Sequence, residues 1–134
     1  IVEQVVSKEV AQAEITKWLD SKKIGSLKRE SQENQINVLV EAICDGFLKV
    51  ESDCTLVQTL KFETTEGKPI KELRYKSRLT LKEVNQHLQS VKATDVDGRI
   101  LAYAAALTGE AKGILVRFDT EDSSVMQAIV LFFI

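Results

Sequence analysis

Apolar residues recur at a helical period early in the chain, at a strand period in the middle, and at a helical period again towards the end. Over residues 7–21, Val10, Ala11 or Ala13, Ile15, Trp18 and Leu19 fall near one helical face, with Ser7 placed to accept an orphan amide as the N-cap. The next stretch, with Lys22, Lys23, Lys28, Arg29 and a glycine but no period, predicts a surface connector. Ser31 is then expected to open a second helix, whose stripe is Ile36, Leu39, Val40, Ile43 and Phe47 and whose left-handed C-terminal residue is Gly46.

From Leu48 the period shortens to two. Leu48 and Val50 alternate against Lys49, Glu51-Ser-Asp53 reads as a turn, and Leu56, Leu60 and Phe62 alternate against Val57, Thr59 and Lys61. A second turn over residues 64–69 leads to residues 71–76, where Leu73 and Tyr75 share a face and Lys71, Arg74 and Lys76 are charged. The pattern predicts a three-stranded antiparallel meander with one face covered by helices.

The helical period returns at Thr80-Leu-Lys-Glu83, a capping-box sequence followed by the stripe Leu81, Val84, Leu88 and Val91. Asp95 can cap the next helix, with Val96, Ile100, Tyr103, Ala104 and Leu107 on its face and Thr108-Gly109 at its end. Residues 114–116 form a short element of open type. A last helix is expected from about Glu121 to Ile134, with acids near its positive end. The predicted class is α+β: two N-terminal helices, a three-stranded antiparallel meander and three to four C-terminal helices. Residues 1–134 are read as one domain, with 1–62 as an N-terminal helical and hairpin half and 63–134 as a C-terminal helical half within it.

Composition agrees with an ordinary globular chain: 134 residues, 44% hydrophobic and 28% charged, enough to bury roughly two thirds of the unfolded surface without a disulfide or metal. A net charge of −2 supplies no global attraction to nucleic acid or anionic lipid. Cys44 and Cys54 show no C-x-x-C spacing, so a reduced, cytoplasmic setting is expected. The longest apolar run, residues 128–134, is far short of the about 20 residues of a membrane span, and the first residues lack a signal-peptide pattern, so neither membrane nor export is expected.

Candidate chemistry is sparse. His87, the only histidine, lies between Gln86 and Gln89 on the polar side of its helix, and neither cysteine has a histidine near it in sequence. Asp95-Val-Asp97-Gly98 lacks the alternating ligands and closing glutamate of a calcium loop, and is read as a helix cap. Asp119, Glu121 and Asp122 are read first as acids offsetting a helix dipole. Phosphate-loop, dinucleotide, nucleophile-elbow and zinc-protease motifs are absent. No catalytic, cofactor-binding or metal-binding residue is therefore expected. Lys68, Lys71, Arg74, Lys76, Arg78 and Lys82 share their stretch with one acid, Glu72. That arrangement suits a solvated sheet face or a charged seam against a protein; a basic hairpin binding nucleic acid is a secondary alternative with little aromatic support.

The last helix has almost no polar side after Gln127: Val125, Met126, Ala128, Ile129, Val130, Leu131, Phe132, Phe133 and Ile134 follow nearly without interruption. Such a helix is either the covered centre of the core or leaves one flank to dock on a partner or another copy.

Residues 60–134 resemble the tail assembly chaperones of tailed bacteriophages. The resemblance rests on Leu60-Lys-Phe62, Gly67 and the Glu72-Leu-Arg-Tyr-Lys76 strand, then a polar helix, an apolar helix ending in Leu107-Thr-Gly109, and an Asp119-Thr-Glu-Asp122 turn opening a final apolar helix. Residues 1–59 lie outside it. It implies a small non-enzymatic phage protein of the host cytoplasm that binds the tape measure protein and recruits tail tube subunits. The binding surface carried over by position is the final helix and its preceding turn: Asp119, Asp122, Val125, Met126, Ile129, Val130, Phe132 and Phe133. Homo-oligomerisation stays open, as does a permanent role in the virion as a baseplate, neck or tail subunit.

Overall fold

A computed structural model describes residues 4–64 and 69–134. Helix α1 (Lys8–Ser21) starts where Ser7 Oγ accepts the Val10 amide at 3.3 Å. It buries Ala11, Ile15, Trp18 and Leu19 and leaves Val10 exposed, because Ala11 occupies the core-facing position of that turn. The expected connector contains a short helix, α2 (Ser26–Ser31), so Ser31 closes one helix and Gln32 precedes the next, α3 (Glu33–Cys44). The absence of an apolar period conceals α2, which buries no side chain fully.

At the end of α3, Phe47 N–H donates to the Ala42 carbonyl at 2.9 Å and Gly46 N–H to that of Ile43 at 3.1 Å, with Gly46 at φ +83°. This Schellman closure turns the chain into the sheet. Strands β1 (Leu48–Val50), β2 (Leu56–Thr59) and β3 (Glu72–Tyr75) pair antiparallel in the order β1-β2-β3, as expected. The register aligns Val50 with Leu56 and Leu56 with Tyr75 on the core face, and Lys49 with Val57 and Val57 with Arg74 on the other. Strand β2 ends at Thr59, so Phe62, expected on the apolar face, stands 56% exposed beyond it. The middle of the second predicted turn, including Gly67, lies outside the described residues.

Helix α4 (Leu81–Leu88) opens with the predicted capping box: Glu83 N–H donates to Thr80 Oγ1 at 3.3 Å and Thr80 N–H to Glu83 Oε1 at 3.2 Å. Of its stripe Val84 is buried, Leu88 and Val91 are half-buried, and Leu81 is 68% exposed. In α5 (Val96–Thr108), Asp95 Oδ1 accepts the Gly98 amide at 2.9 Å and Gly109 follows at φ +77°. The short element is a helical turn, α6 (Lys112–Leu115). The last helix, α7 (Thr120–Val130), is shorter than its apolar run and finishes in turns.

Helix α7 packs against α3 and α5, α1 packs against α3 and β1, and α5 packs against β3. A hydrophobic cluster including Trp18, Leu39, Leu56, Tyr75, Leu107, Ile129 and Phe132 thus draws on helices from both sides of the sheet in sequence. Lys76 N–H donates to the Leu107 carbonyl at 3.1 Å, tying the end of β3 to α5.

Candidate partner interface

The final helix fills the interior. Asp122, Val125, Met126, Ile129, Val130 and Phe132 are all buried, so these six residues offer no exposed flank in this conformation. The cause is the helix's own composition: an apolar surface on all sides needs cover on all sides, and α3, α5 and Trp18 supply it. Phe132 meets the Trp18 ring edge to face at 5.6 Å between centroids. Of the eight residues expected at a partner surface, only Asp119, which is exposed, and Phe133, which is half-buried, reach solvent.

The two aspartates differ in what they hold. Asp119 is the N-cap of α7, accepting the Glu121 amide at 2.9 Å. Asp122 is turned inward, where Oδ1 accepts the Lys61 amide at 2.8 Å and Oδ2 the Phe62 amide at 3.1 Å. Its carbonyl accepts from Gln58 Nε2 at 3.0 Å, and Gln58 Oε1 accepts from the Tyr75 hydroxyl at 2.6 Å. Burial, and secondarily the charge of Asp122, hold the Tyr75 hydroxyl far above its ordinary pKa, so it stays a donor. This chain of hydrogen bonds fastens α7 to β2 and β3; its side chains are saturated by the fold itself.

Three cations of the basic stretch stand near acids, of which Glu51 and Glu63 come from elsewhere in the sequence. Lys71 stands 3.8 Å from Glu63, Arg74 3.8 Å from Glu51 and 3.7 Å from Glu72, and Lys76 3.1 Å from Glu83. The bond from Lys76, with help from Thr80, draws the Glu83 carboxyl below its usual range. Lys68 lies outside the described residues. Lys71, Arg74 and Lys76 of the cationic run thus stand beside carboxylates and make a poor surface for phosphate recognition, whereas Arg78 and Lys82 form no ion pair among the described residues.

A different basic surface forms around Phe133. Lys22, the C-cap of α1, places its ammonium 3.3 Å from the Phe133 ring centroid and 5.7 Å from that of Trp18. Lys28, from α2, donates to the Ile134 carbonyl at 3.4 Å. Partial burial first, then the charges of Arg78 and Lys28, lower the Lys22 amine to about 8. Beside this cluster a groove of about 190 Å³ is lined by Leu79, Thr80, Leu81, Val84, Tyr103 and Phe133. The sequence singles out Phe133 and Arg78 separately but carries no sign that they meet, because the cations come from three separate segments.

The remaining candidates are placed simply. Cys44 and Cys54 are buried free thiols, and His87 is half-buried with its carbonyl accepting from Lys112 Nζ. Among the described residues no three His, Cys, Asp or Glu side chains gather as a metal site, and no helix is long and apolar enough to cross a membrane. Comparison with protein-family models, curated proteins and solved structures returns no match.

Proposed function

We propose that this chain is a non-enzymatic assembly factor of the tail assembly chaperone type, acting in the cytoplasm of a phage-infected host and binding tape measure or tail tube protein. The observation that carries the reading is the order of small motifs from Leu60 to Ile134. Three of these motifs coincide with elements of the fold: Glu72–Tyr75 is a strand, Gly109 closes α5, and Asp119 caps the helix that fills the core. With α7 enclosed, contact with a partner falls to the surface around Phe133 and the exposed apolar side chains near it. The mechanism is mass action, in which transient burial of a partner's apolar segment lowers its free concentration until the next subunit displaces the chaperone.

The test is mass spectrometry of a tagged copy recovered from infected cells, beside the protein inventory of finished particles. Recovery with tape measure or tube protein, and absence from particles, is the expected result. Stoichiometric presence in particles would instead make the chain a structural subunit. Co-expression that neither solubilises nor captures a tail protein would sink the chaperone reading.

A further inference from the structure

Lys22, Lys28 and Arg78 are gathered around the Phe133 ring, and the one hydrogen-bond acceptor that the chain gives them among the described residues is the Ile134 carbonyl, 3.4 Å from Lys28 Nζ. The three come from the end of α1, from α2 and from the loop before α4, and Lys28 and Arg78 are close enough to disfavour the charge on Lys22. Carboxylates do reach Arg29, from Asp20 (2.7 Å), and Lys76, from Glu83 (3.1 Å). Among the described residues none of these three has such a partner. A partly buried ammonium over an aromatic ring, facing two like charges, is a site whose electrostatics improve when an anion arrives.

The apolar groove adjoins the cluster at two points. Phe133 lies under Lys22 and also lines the groove, and Arg78 is bonded in sequence to Leu79, which lines it too. Leu81, 68% exposed, forms part of the wall. At about 190 Å³ the groove is smaller than the roughly 300–1,000 Å³ of a small-molecule pocket, and suits a single apolar side chain of a longer chain.

We propose that the cluster of Lys22, Lys28 and Arg78 and the groove beside Phe133 form one docking site for a partner protein segment that carries a carboxylate next to a large apolar side chain. The carboxylate faces the three cations and the apolar side chain enters between Leu79, Leu81 and Tyr103. The assignment rests on the protein-binding reading above for its class of ligand, and on the unpaired charge and adjoining groove for its chemistry. Nucleic acid fits less well, since three cations contact few phosphates and the apolar wall would face solvated backbone.

The test uses the full chain and a fluorescein-labelled octapeptide alternating leucine and aspartate, followed by anisotropy. Two control peptides replace every aspartate with lysine or every leucine with serine. The expected result is binding of the first peptide alone, weakened about tenfold or more by the double variant Lys22→Gln, Arg78→Gln and by Leu81→Ser. Removal of Lys22's partly buried charge does not threaten folding, which circular dichroism verifies in each variant. The proposal is overturned by no binding up to about 1 mM peptide, by equal binding of the double variant, by tighter binding of oligo-dT, or by self-association of the chain that the double variant abolishes. Tail-protein capture that persists undiminished in the double variant overturns the docking site while sparing the assembly function; peptide binding by a chain that captures no tail protein supports the site and removes the proposed function.

Discussion

Lys23 occupies a left-handed position that the ends of α3 and α5 give to glycine. At φ +57° it closes α1 as Gly46 closes α3, with Ile24 N–H donating to the Leu19 carbonyl at 3.1 Å and Lys23 N–H to that of Asp20 at 3.0 Å. A left-handed residue with a Cβ costs about 1–2 kcal/mol, partly offset by glycine's greater freedom in the unfolded chain. Lys23→Gly is therefore expected to stabilise the protein by about 0.5–1 kcal/mol in urea unfolding. Gly109→Ala should destabilise by about 1 kcal/mol through backbone strain alone, since an added Cβ meets nothing within 4 Å. Equal and opposite signs at these two sites would confirm that conformation, and not contact, sets both. The neighbouring Lys22 carries a second prediction. Its amine loses a proton near pH 8 in the folded state and near 10.5 when unfolded, so between these values the unfolded chain binds more protons and stability rises with pH. Below pH 8 the cost of the desolvated charge is present in full. Solvent screening limits the gain to about 1 kcal/mol, and Lys22→Gln should remove it from the difference in unfolding free energy between pH 7 and pH 9.5. An unchanged pH slope in that variant would contradict the assignment. Gly46 was legible in sequence because glycine after an apolar stripe is a strong stop; Lys23 was not, because nothing in a lysine announces a left-handed turn.

At the scale of elements, local signals carried furthest where a side chain bonds within its own segment. Ser7, the Thr80 capping box and Asp95 all act within three residues of themselves, and each was readable from spacing; Asp119 acts as locally, but its sequence signal was that of an acid near a helix dipole. Helix α2 and the end of β2 were not, since a buried face is chosen by what lies across from it. Val10, Phe62, Leu81 and Val96 satisfy their period and still face solvent. Asp122 shows the same limit from the other side: three residues from a cap in sequence, it serves amides some sixty residues away. The two aspartates should therefore part in mutagenesis. Asp119→Asn keeps a competent cap and should change stability by less than about 0.5 kcal/mol. Asp122→Asn turns the amide donor of a buried side chain towards a part-buried N–H and should cost about 2–4 kcal/mol by urea denaturation. If Asp122 instead served a partner, its variant would fold with near-parental stability and lose only binding.

The whole molecule turns one ambiguous sequence feature into two adjacent roles. An apolar run such as residues 125–134 states that it must be covered but not by what, and the fold answers residue by residue: α3, α5 and Trp18 enclose the run through Phe132, while Phe133 emerges beneath Lys22. Burial and binding can thus be separated at neighbouring positions. Phe132→Ala removes a buried ring from the Trp18 contact and should cost about 3–5 kcal/mol, a large part of the stability of a domain this size. Phe133→Ala removes a half-exposed ring and a cation–π contact, at about 1–2 kcal/mol, and should leave a folded protein. The acidic-apolar peptide should then bind Phe133→Ala about tenfold or more weakly, because Phe133 is the side chain shared by the cationic cluster and the groove. For Phe132→Ala the expected order is reversed: at temperatures where the variant is still folded, peptide affinity should fall less than in Phe133→Ala, because Phe132 reaches the site only through their shared neighbour Trp18. Thermal unfolding and peptide anisotropy on the same two samples decide the matter, since a protein whose final helix is itself the contact would lose binding at both positions.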